Sequence, residues 1–368
     1  MTNPNIKYRL QYLRRLHNLT QEALAAALGF KDRQTLSQIE TGERKLSSEE
    51  MIQAAKVFSV SLDYFTDPFE LAGEGHFSWR QNGTQPQVLD EFELKAGRWI
   101  AAYRHLSKLR GDIVNSSTRR VALDRKSSFE EAIVEGEAMG IALDLGQIPS
   151  ENLLLALQSK LDTLVLEVDT AQGISGAACR LSQMNAIVIN RNESKARRNY
   201  DLAHELFHLL TWDTMPPPRL ESVIPSKTKN NRIEQLADNF ASGLLMPTPL
   251  IERLIERSEL PKGQALAGWL NSNAQVLGVS SLALQWRLVN MGALPKSEVV
   301  SEESLRNNGD SQKQTPPPKF GKRFMEVIGW AMDEGHVSVR RTASLLNLTI
   351  DELASLFQSH SLKTPYDL

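Results

Sequence analysis

The segment Tyr200-Asp-Leu-Ala-His-Glu-Leu-Phe-His-Leu-Leu210 decides the fold of the central part of the chain. Its apolar residues recur at helical spacing, which predicts a buried helix. His204 and His208 are one helical turn apart, so both imidazoles can face a single metal ion. Glu205 projects beside them, close enough to reach a water molecule at that ion. This is the residue pattern of zinc hydrolases, and it predicts a catalytic Glu205 beside the metal ligands His204 and His208.

A third ligand is expected from the next helical segment. Glu234-Gln-Leu-Ala-Asp238 opens a second apolar helix, in which Glu234 and Asp238 lie one turn apart on the same face. Glu234 can therefore bind the metal while Asp238 accepts the far N–H of a ligand histidine, a hydrogen bond that fixes the imidazole orientation. The other five histidines lie outside the core of this region and are poorer candidates.

The composition favours a metal site without cysteine ligands. The chain has 368 residues, 23% of them charged, a formal net charge of -2 and one cysteine, Cys179. A single cysteine excludes an internal disulfide framework and a cysteine-rich zinc cluster, which leaves histidine and carboxylate ligands. The length predicts two or three domains, and the ordinary composition excludes a collagen-like or wholly disordered chain. A polar N-terminus and the lack of a long apolar stretch predict a cytoplasmic protein that does not span a membrane.

Three short runs with β-branched residues precede the histidine helix. They lie at residues 163–168, 176–181 and 186–190 and are separated by glycine and asparagine turn signals. These runs predict a small three-stranded sheet, so the middle domain should be an α+β, zincin-like unit. We expect one of its strands, at 176–181 or 186–190, to align a peptide substrate by edge pairing.

Residues 6–66 predict a small all-helical domain. Gln21-Glu-Ala-Leu-Ala-Ala-Ala-Leu-Gly29 is typical of a helix ended by glycine, and Asp32-Arg-Gln-Thr-Leu-Ser-Gln-Ile-Glu40 of a second helix after a short turn. Thr20 and Asp32 are the expected N-caps. The residues expected to face inward are Leu24, Leu28, Leu36 and Ile39.

The second helix of this domain is a candidate for reading DNA. Up to Lys45 the domain has eight basic and four acidic residues, so a local positive charge lies within a nearly neutral chain. Double-stranded DNA is therefore the expected partner, and a helical hairpin used for dimerisation or protein docking is the alternative. The outward side chains that can reach base edges in a major groove are Arg33, Gln34, Thr35 and Gln38.

This domain resembles the Xre/Cro-type helix-turn-helix family of phage and antitoxin repressors. The resemblance covers residues 6–66 and rests on Leu19-Thr-Gln-Glu-Ala-Leu-Ala, Leu36-Ser-Gln-Ile-Glu-Thr-Gly-Glu-Arg44 and Val57-Phe-Ser-Val-Ser-Leu-Asp63. It implies that Gln21 contacts the DNA backbone, that the face from Gln34 to Gln38 reads bases, and that Arg44 belongs to the same interface. Repressors of this type bind two half-sites, which implies a homodimer on its operator.

The middle region resembles the ImmA/IrrE family of metallopeptidases over residues 120–295. The matching residues include Arg197, Tyr200-Asp-Leu-Ala-His-Glu205 and Glu234-Gln-Leu-Ala-Asp-Asn-Phe-Ala-Ser-Gly-Leu-Leu-Met-Pro247. Phe207 departs from the family pattern, in which many members have glycine before the second histidine, without removing a ligand. The resemblance implies a zinc endopeptidase that cleaves a repressor- or antitoxin-like protein in a stress, phage or mobile-element response.

The chain should divide into five parts. Low hydrophobicity and three successive prolines ending at Pro318 predict a flexible linker before the C-terminal helical region. The expected parts are a helix-turn-helix domain at 1–68, a linker with connecting helices at 69–119, a peptidase domain at 120–295, the flexible linker at 296–318 and a small helical C-terminal domain at 319–368.

The sequence therefore predicts a regulator in which a DNA-binding domain is joined to a zinc-dependent endopeptidase. The alternative is a non-catalytic repressor or antitoxin, in which the peptidase-like domain is a sensor or a scaffold. Zinc content and the effect of replacing Glu205 distinguish the two interpretations.

Overall fold

The computed structural model describes residues 6–112, 121–222, 231–307 and 315–366. Within these ranges, no helix is both long and apolar enough to cross a lipid bilayer. The N-terminal part folds into short helices, which are α1 (Ile6–Leu16), α2 (Gln21–Ala27), α3 (Arg33–Thr41), α4 (Ser48–Phe58) and α5 (Asp63–Thr66).

Local sequence signals explain where α2 and α3 begin and end. Thr20 accepts a hydrogen bond from the N–H of Ala23, and Asp32 accepts one from the N–H of Thr35, so both predicted N-caps are confirmed. Gly42 ends α3 with a φ of 89°, a left-handed conformation that favours glycine. The residues expected to face inward are all buried in the core of this domain: Leu24, Leu28, Leu36 and Ile39.

The rest of the described chain combines a sheet with helices. The strands are β1 (His76–Gln81), β2 (Leu164–Val168), β3 (Ile174–Arg180), β4 (Asn185–Asn190) and β5 (Leu220–Ser222). The helices between and after them are α6 (Pro86–Arg110), α7 (Phe129–Ala142), α8 (Pro149–Lys160), α9 (Lys195–Thr211), α10 (Asn231–Leu245), α11 (Thr248–Arg257), α12 (Gln264–Leu277), α13 (Ser281–Asn290) and α14 (Glu302–Asn307), with a 3-10 helix at Lys296–Glu298. The C-terminal helices are α15 (Lys322–Asp333), α16 (Val339–Leu346) and α17 (Ile350–Ser359).

The strands form one mixed sheet in the order β2-β4-β3-β1-β5. β3 pairs antiparallel with β4 and β1, whereas β2 pairs parallel with β4, and β5 pairs parallel with β1. The α+β prediction is confirmed, and its strands correspond to β2, β3 and β4. The sheet is larger than expected because β1 and β5 extend it beyond β3. β1 and α6 both come from residues 69–119, the segment predicted as a linker with connecting helices.

Alternation along the strands separates two apolar cores. Ala178 and Ile187 face a core shared with α7, α9 and α10. Ala177 and Cys179 face the opposite core, to which α6 and the C-terminal helices contribute. Because successive side chains of a strand point to opposite faces, β2, β3 and β4 each supply both cores. The sheet is therefore a central layer covered by helices on both sides.

The C-terminal helices share the second of these cores. The ring centroids of Phe320 and Trp99 lie 4.9 Å apart, and Trp99 Nε1–H donates a 3.1 Å hydrogen bond to the carbonyl of Leu345. The predicted C-terminal domain at 319–368 thus packs on α6. The predicted linker at 296–318 contains α14, and its residues 308–314 lie outside the described residues, as do residues 113–119 of the predicted linker at 69–119.

Helices α7 and α10 cross with their backbones in contact, because each contributes a glycine at the crossing. A Cβ atom on Gly136 would lie 2.2 Å from the carbonyl oxygen of Phe240, and one on Gly243 would lie 2.2 Å from that of Ile133. Both distances are far shorter than van der Waals contact, so the crossing has no space for a side chain. This crossing positions α10, which carries Glu234.

Gly243→Ala should lower the free energy of unfolding by about 1–3 kcal/mol, because its methyl group would push α10 away from α7. Gly268→Ala in α12 is the matched control, since no atom lies within 4 Å of the Cβ it would add. Alanine at such an open helical position should stabilise the protein by about 0.5–1 kcal/mol. Chemical denaturation measures both changes, and equal stability of the two variants would contradict the close crossing.

Candidate metal centre

Helix α9 carries the two histidines through the interior of the molecule. Ser194 caps its N-terminus by accepting a hydrogen bond from the N–H of Arg197, and the helix contains neither glycine nor proline. α9 lies between the sheet and α10. His204, Glu205 and His208 are therefore fully excluded from solvent.

Four side-chain donor atoms meet beside α9. His204 Nε2 lies 3.1 Å from His208 Nε2 and 3.2 Å from Glu234 Oε2. His208 Nε2 lies 3.3 Å from Oε1 of Glu221 in β5. All four donors lie within 4.8 Å of one another. The structure thus brings together the three ligands predicted from the sequence and adds the carboxylate of Glu221 as a fourth donor.

The spacing and chemistry of these atoms fit a zinc ion. Zinc binds histidine nitrogen and carboxylate oxygen at about 2.0–2.2 Å with tetrahedral geometry, which places neighbouring ligand atoms roughly 3.3–3.5 Å apart. Glu221 Oε2 is buried without a hydrogen-bond partner, as are both carboxylate oxygens of Glu205. Buried polar atoms normally have partners. A metal ion and a water molecule would satisfy these atoms.

Sequence reasoning missed Glu221 because no motif marks it. β5 has only three residues and directly follows Pro216-Pro-Pro-Arg219, so hydrophobic periodicity gives no strand signal there. Its carboxylate is held by β1, since Ser78 Oγ lies 2.5 Å from Glu221 Oε1. The alternation in His76-Phe-Ser-Trp-Arg-Gln81 is a signal that could have indicated a strand with Ser78 and Arg80 on one face.

A network of charged side chains lies behind His204. Asp238 Oδ1 is 2.9 Å from His204 Nδ1, which is the hydrogen bond expected from the sequence. Arg80 Nη2 lies 3.7 Å from the same Asp238 oxygen, and Arg80 Nη1 lies 3.4 Å from Asp201 Oδ1. Asp201 also accepts a 3.0 Å hydrogen bond from Arg197 Nε. Arg80 therefore joins β1 to α9 and α10 at a point where buried charges must be paired.

Burial and neighbouring charges shift the protonation of this cluster in both directions. Burial lowers the pKa of His208. Burial also disfavours the charged form of His204, but hydrogen bonds to three carboxylates, the first being Asp238, outweigh it and raise the pKa of His204. Burial and the charge of Glu221 raise the pKa of Glu205 well above its usual value. Burial opposes ionisation of Glu221 too, but the adjacent imidazoles lower its pKa to about 2.

A cavity of about 760 Å³ opens beside this charge network. Its walls include Arg80, Tyr200, Asp238 and Trp286, and the four candidate metal-ligand side chains are not part of its lining. The hydroxyl of Tyr200 donates a 2.9 Å hydrogen bond to the carbonyl of Asp238. Asp238 links the cavity lining to the metal cluster, since it contacts both Arg80 and His204.

The strands expected to align a substrate lie inside the sheet. β3 is flanked by β4 and β1, and β4 is flanked by β2 and β3, so neither has a free edge for a peptide. The expectation for residues 176–181 and 186–190 is therefore wrong. Among the described strands, the outermost are β2 and β5, and β5 is the one that lies at the metal cluster.

Helix α3 presents polar side chains on the surface of the N-terminal domain. Arg33 and Gln34 at its start are exposed, whereas Thr35 and Gln38 are partly buried. Thr35 Oγ1 lies 3.1 Å from the capping carboxylate of Asp32, to which it donates a hydrogen bond. The first turn of α3 therefore has the most accessible side chains of the expected DNA-reading face.

The other two expected DNA contacts are held within the domain. Gln21 Nε2 donates a 2.8 Å hydrogen bond to Glu40 Oε2, and Arg44 Nη2 lies 2.7 Å from Glu50 Oε1. Arg44 also lies over the ring of Phe30, 5.7 Å from its centroid. These contacts orient Gln21 and Arg44 beside α3.

Comparison with known proteins agrees with both parts of this architecture. A helix-turn-helix family model matches residues 10–65, and a model of the M78 peptidases, described as the IrrE N-terminal-like domain, matches residues 158–288. An uncharacterized HTH-type transcriptional regulator of Methanocaldococcus jannaschii is 45% identical over 58 residues, which are 16% of this chain and 86% of that protein. The chain belongs to the helix-turn-helix regulators and carries an IrrE-like peptidase domain.

The residues matched to the IrrE-like domain extend from α8 into α13 and include all four candidate metal-ligand side chains. β1 and α6 precede the matched residues, yet they complete the sheet and the second core of the IrrE-like domain. Arg80 and Ser78 therefore act on the site from outside the matched segment.

Asp238→Asn should weaken zinc binding by about tenfold to a hundredfold, because a neutral amide orients the His204 imidazole less firmly than a carboxylate does. Competition with a chromophoric chelator measures the zinc affinity. Asp144→Asn is the matched control, since the Asp144 side chain is 88% exposed and its φ of 47° suits asparagine. An unchanged zinc affinity in Asp238→Asn would mean that this hydrogen bond does not support the site.

Proposed function

We propose that this DNA-binding regulator is also a zinc-dependent endopeptidase, which cleaves a repressor- or antitoxin-like protein. The observation that carries the proposal is the convergence of His204, His208 and Glu234 beside Glu205, whose carboxylate oxygens have no hydrogen-bond partner. A carboxylate with free acceptor atoms next to a metal-ligand cluster suits a general base.

Each residue of the cluster has a defined role in this proposal. His204, His208 and Glu234 hold the zinc ion, and Asp238 keeps the imidazole of His204 in place. When bound, zinc supplies Lewis-acid chemistry for peptide hydrolysis. Glu205 accepts the proton of the attacking water and delivers it to the leaving amine.

The surroundings of Glu205 suit proton transfer. Its carboxylate lies next to Gly176 of β3, since a Cβ atom on that glycine would be in ordinary contact with Glu205 Oε1 at 3.9 Å. Burial and the charge of Glu221 raise the pKa of Glu205. A general base works best when its pKa lies near the working pH, and a raised carboxyl pKa moves Glu205 in that direction.

The N-terminal domain supports the DNA-binding half of the proposal. α3 is the recognition helix, and the exposed Arg33 and Gln34 together with Thr35 and Gln38 contact base edges in the major groove. Gln21 and Arg44 contact the DNA backbone beside it, and two copies of the chain bind two half-sites of one operator. This combination suits a cytoplasmic stress or mobile-element response.

A non-catalytic function is the second candidate, and Glu221 favours it. Four protein ligands close a zinc site, and closed sites are typical of structural zinc, whereas catalytic sites keep one position open. In that case the IrrE-like domain would be a sensor or a scaffold for the DNA-binding domain. The two functions differ in whether the Glu205 carboxylate is needed.

Glu205→Gln should reduce cleavage of the partner protein by about 10²–10⁴-fold, because glutamine cannot accept the proton of water. Quantitative proteomics of cells that carry either form should reveal a repressor-like protein that disappears only with the wild type. Glu252→Gln, at an exposed glutamate of α11, is the matched control. All three proteins should bind zinc. Wild-type protein without zinc, or identical proteomes for wild type and Glu205→Gln, would favour the non-catalytic function.

Replacing Gln34 and Gln38 together by alanine should weaken operator binding by about tenfold or more, since a good side-chain contact to a base contributes about 1–3 kcal/mol of discrimination. Fluorescence anisotropy at fixed salt measures the affinity for operator and random DNA. Gln53→Ala, at an exposed glutamine of α4 in the same domain, is the control. An unchanged preference for operator in the double variant would argue for a docking domain instead.

A further inference from the structure

Strand β5 fills the sheet edge beside the metal cluster. It pairs parallel with β1, and this register directs Glu221 towards the ligand histidines. The N–H of Trp79 donates a 2.8 Å hydrogen bond to the carbonyl of Arg219, and Ser78 Oγ lies 2.6 Å from the carbonyl of Pro218. β5 has only three residues, so its contacts to β1 keep it in the sheet.

The carboxylate of Glu221 completes a fourfold ligand set. Its Oε1 lies 3.3 Å from His208 Nε2, and its Oε2 lies 3.8 Å from His204 Nε2. On the other side, Glu234 Oε2 lies 3.2 Å from His204 Nε2. Ligand atoms around tetrahedral zinc are separated by roughly 3.3–3.5 Å, and the shortest of these distances match that spacing. Four side chains are enough to fill a tetrahedral set.

The same arrangement closes the cluster to solvent. The side chains of His204 and His208 have no exposed surface, that of Glu221 is 1% exposed and that of Glu234 is 19% exposed. A peptide substrate must reach both the metal and the buried Glu205. Extended peptides commonly bind by adding a strand to a sheet edge, and here β5 occupies the edge next to the cluster.

A surface ion-pair group fastens β5 to α6. Arg219, which precedes β5, contacts the carboxylate of Asp90, and its Nε lies 3.0 Å from Glu93 Oε2. Trp79 Nε1–H donates a 2.6 Å hydrogen bond to the same Glu93 oxygen. The side chains of Arg219 and Asp90 are 48% and 57% exposed, and exposed ion pairs contribute little stability. These ion pairs can therefore break with little change in free energy.

We propose that Glu221 is a fourth metal ligand and that β5 is an internal plug, which must leave the sheet edge before a peptide substrate can bind. The inference rests on the proposed metal-dependent peptidase function and adds its regulation. When β5 leaves, the Glu221 carboxylate withdraws and one ligand position opens. β1 then becomes an edge strand to which an extended peptide can add beside Glu205.

Cobalt(II)-substituted full-length protein tests the plug without any substrate, because the visible absorption of cobalt(II) reports its coordination. Acetohydroxamate, a small metal-binding ligand, is titrated into wild type, Glu221→Ala and the control Glu252→Ala. The spectrum of Glu221→Ala should change at acetohydroxamate concentrations at least about tenfold lower than that of wild type, which corresponds to about 1.4 kcal/mol. The control should follow the wild type.

The outcomes separate the plug from the peptidase proposal. Equal acetohydroxamate titrations for wild type and Glu221→Ala, both with one bound cobalt ion, would overturn the plug and leave the peptidase proposal standing. Wild-type protein that binds no cobalt would overturn both. If Glu205→Gln kept wild-type function while the acetohydroxamate titrations agreed with the plug, only the peptidase proposal would be overturned.

Arg219→Ala tests whether the ion pairs to α6 hold β5 in place, and it keeps all four proposed ligands. Its spectrum should respond to acetohydroxamate at concentrations between those of wild type and Glu221→Ala, because β5 leaves the edge more often. Arg180→Ala is the matched control, since it removes a surface ion pair to Asp213 at 3.2 Å that does not involve β5. If Arg219→Ala and Arg180→Ala give the same titration, β5 is not held by this ion-pair group and the plug as described is wrong.

Discussion

The pairing of the buried Arg80 with Asp201 and Asp238 underlies the geometry of the whole site. Arg80 and Asp201 would each be costly to bury alone, so β1 and α9 must meet where these two charges can pair, and the partly exposed Asp238 adds a contact from α10. That meeting point sets Asp238 against Nδ1 of His204 and, one turn earlier on α10, Glu234 against Nε2. The metal cluster is thus a consequence of charge pairing between elements that are remote in the chain.

Strand β1 acts on the cluster from two sides. Arg80 supports the ligand helix from behind, and Ser78, two residues earlier on the same face, contacts Glu221 in front. The crossing of α7 and α10 at their glycines adds the third support, because it fixes how close α10 lies to α7. In the proposed opening, β5 takes Glu221 away while His204, His208 and Glu234 stay in place, which reconciles a fourfold ligand set with peptidase chemistry.

The parts of the site that depend on local spacing could be predicted from the sequence. The ligand histidines, and Glu234 with Asp238, are each one helical turn apart, so their shared faces follow from helix geometry alone. Arg80 and Glu221 could not be predicted, because they meet α9 through strand pairings between segments more than a hundred residues apart, such as the 143 residues between Ser78 and Glu221. The expectation that β3 or β4 aligns a substrate was wrong for a related reason. The order of the strands decides which of them are edges, and the sequence of a single strand does not determine that order.

Helix α6 connects the N-terminal domain to this arrangement. Glu93 near its start holds Arg219 beside β5, and Arg104 near its end lies 2.6 Å from Glu74, which also contacts the buried Arg9 of α1 at 3.5 Å. At about 1.5 Å per residue, one stiff helix of 25 residues spans both contacts. Cutting the gene at the boundary between the two domains would leave Glu74 without Arg9 and loosen the helix that steadies β5. The N-terminal domain and the strand beside the metal cluster are therefore linked through contacts to one helix.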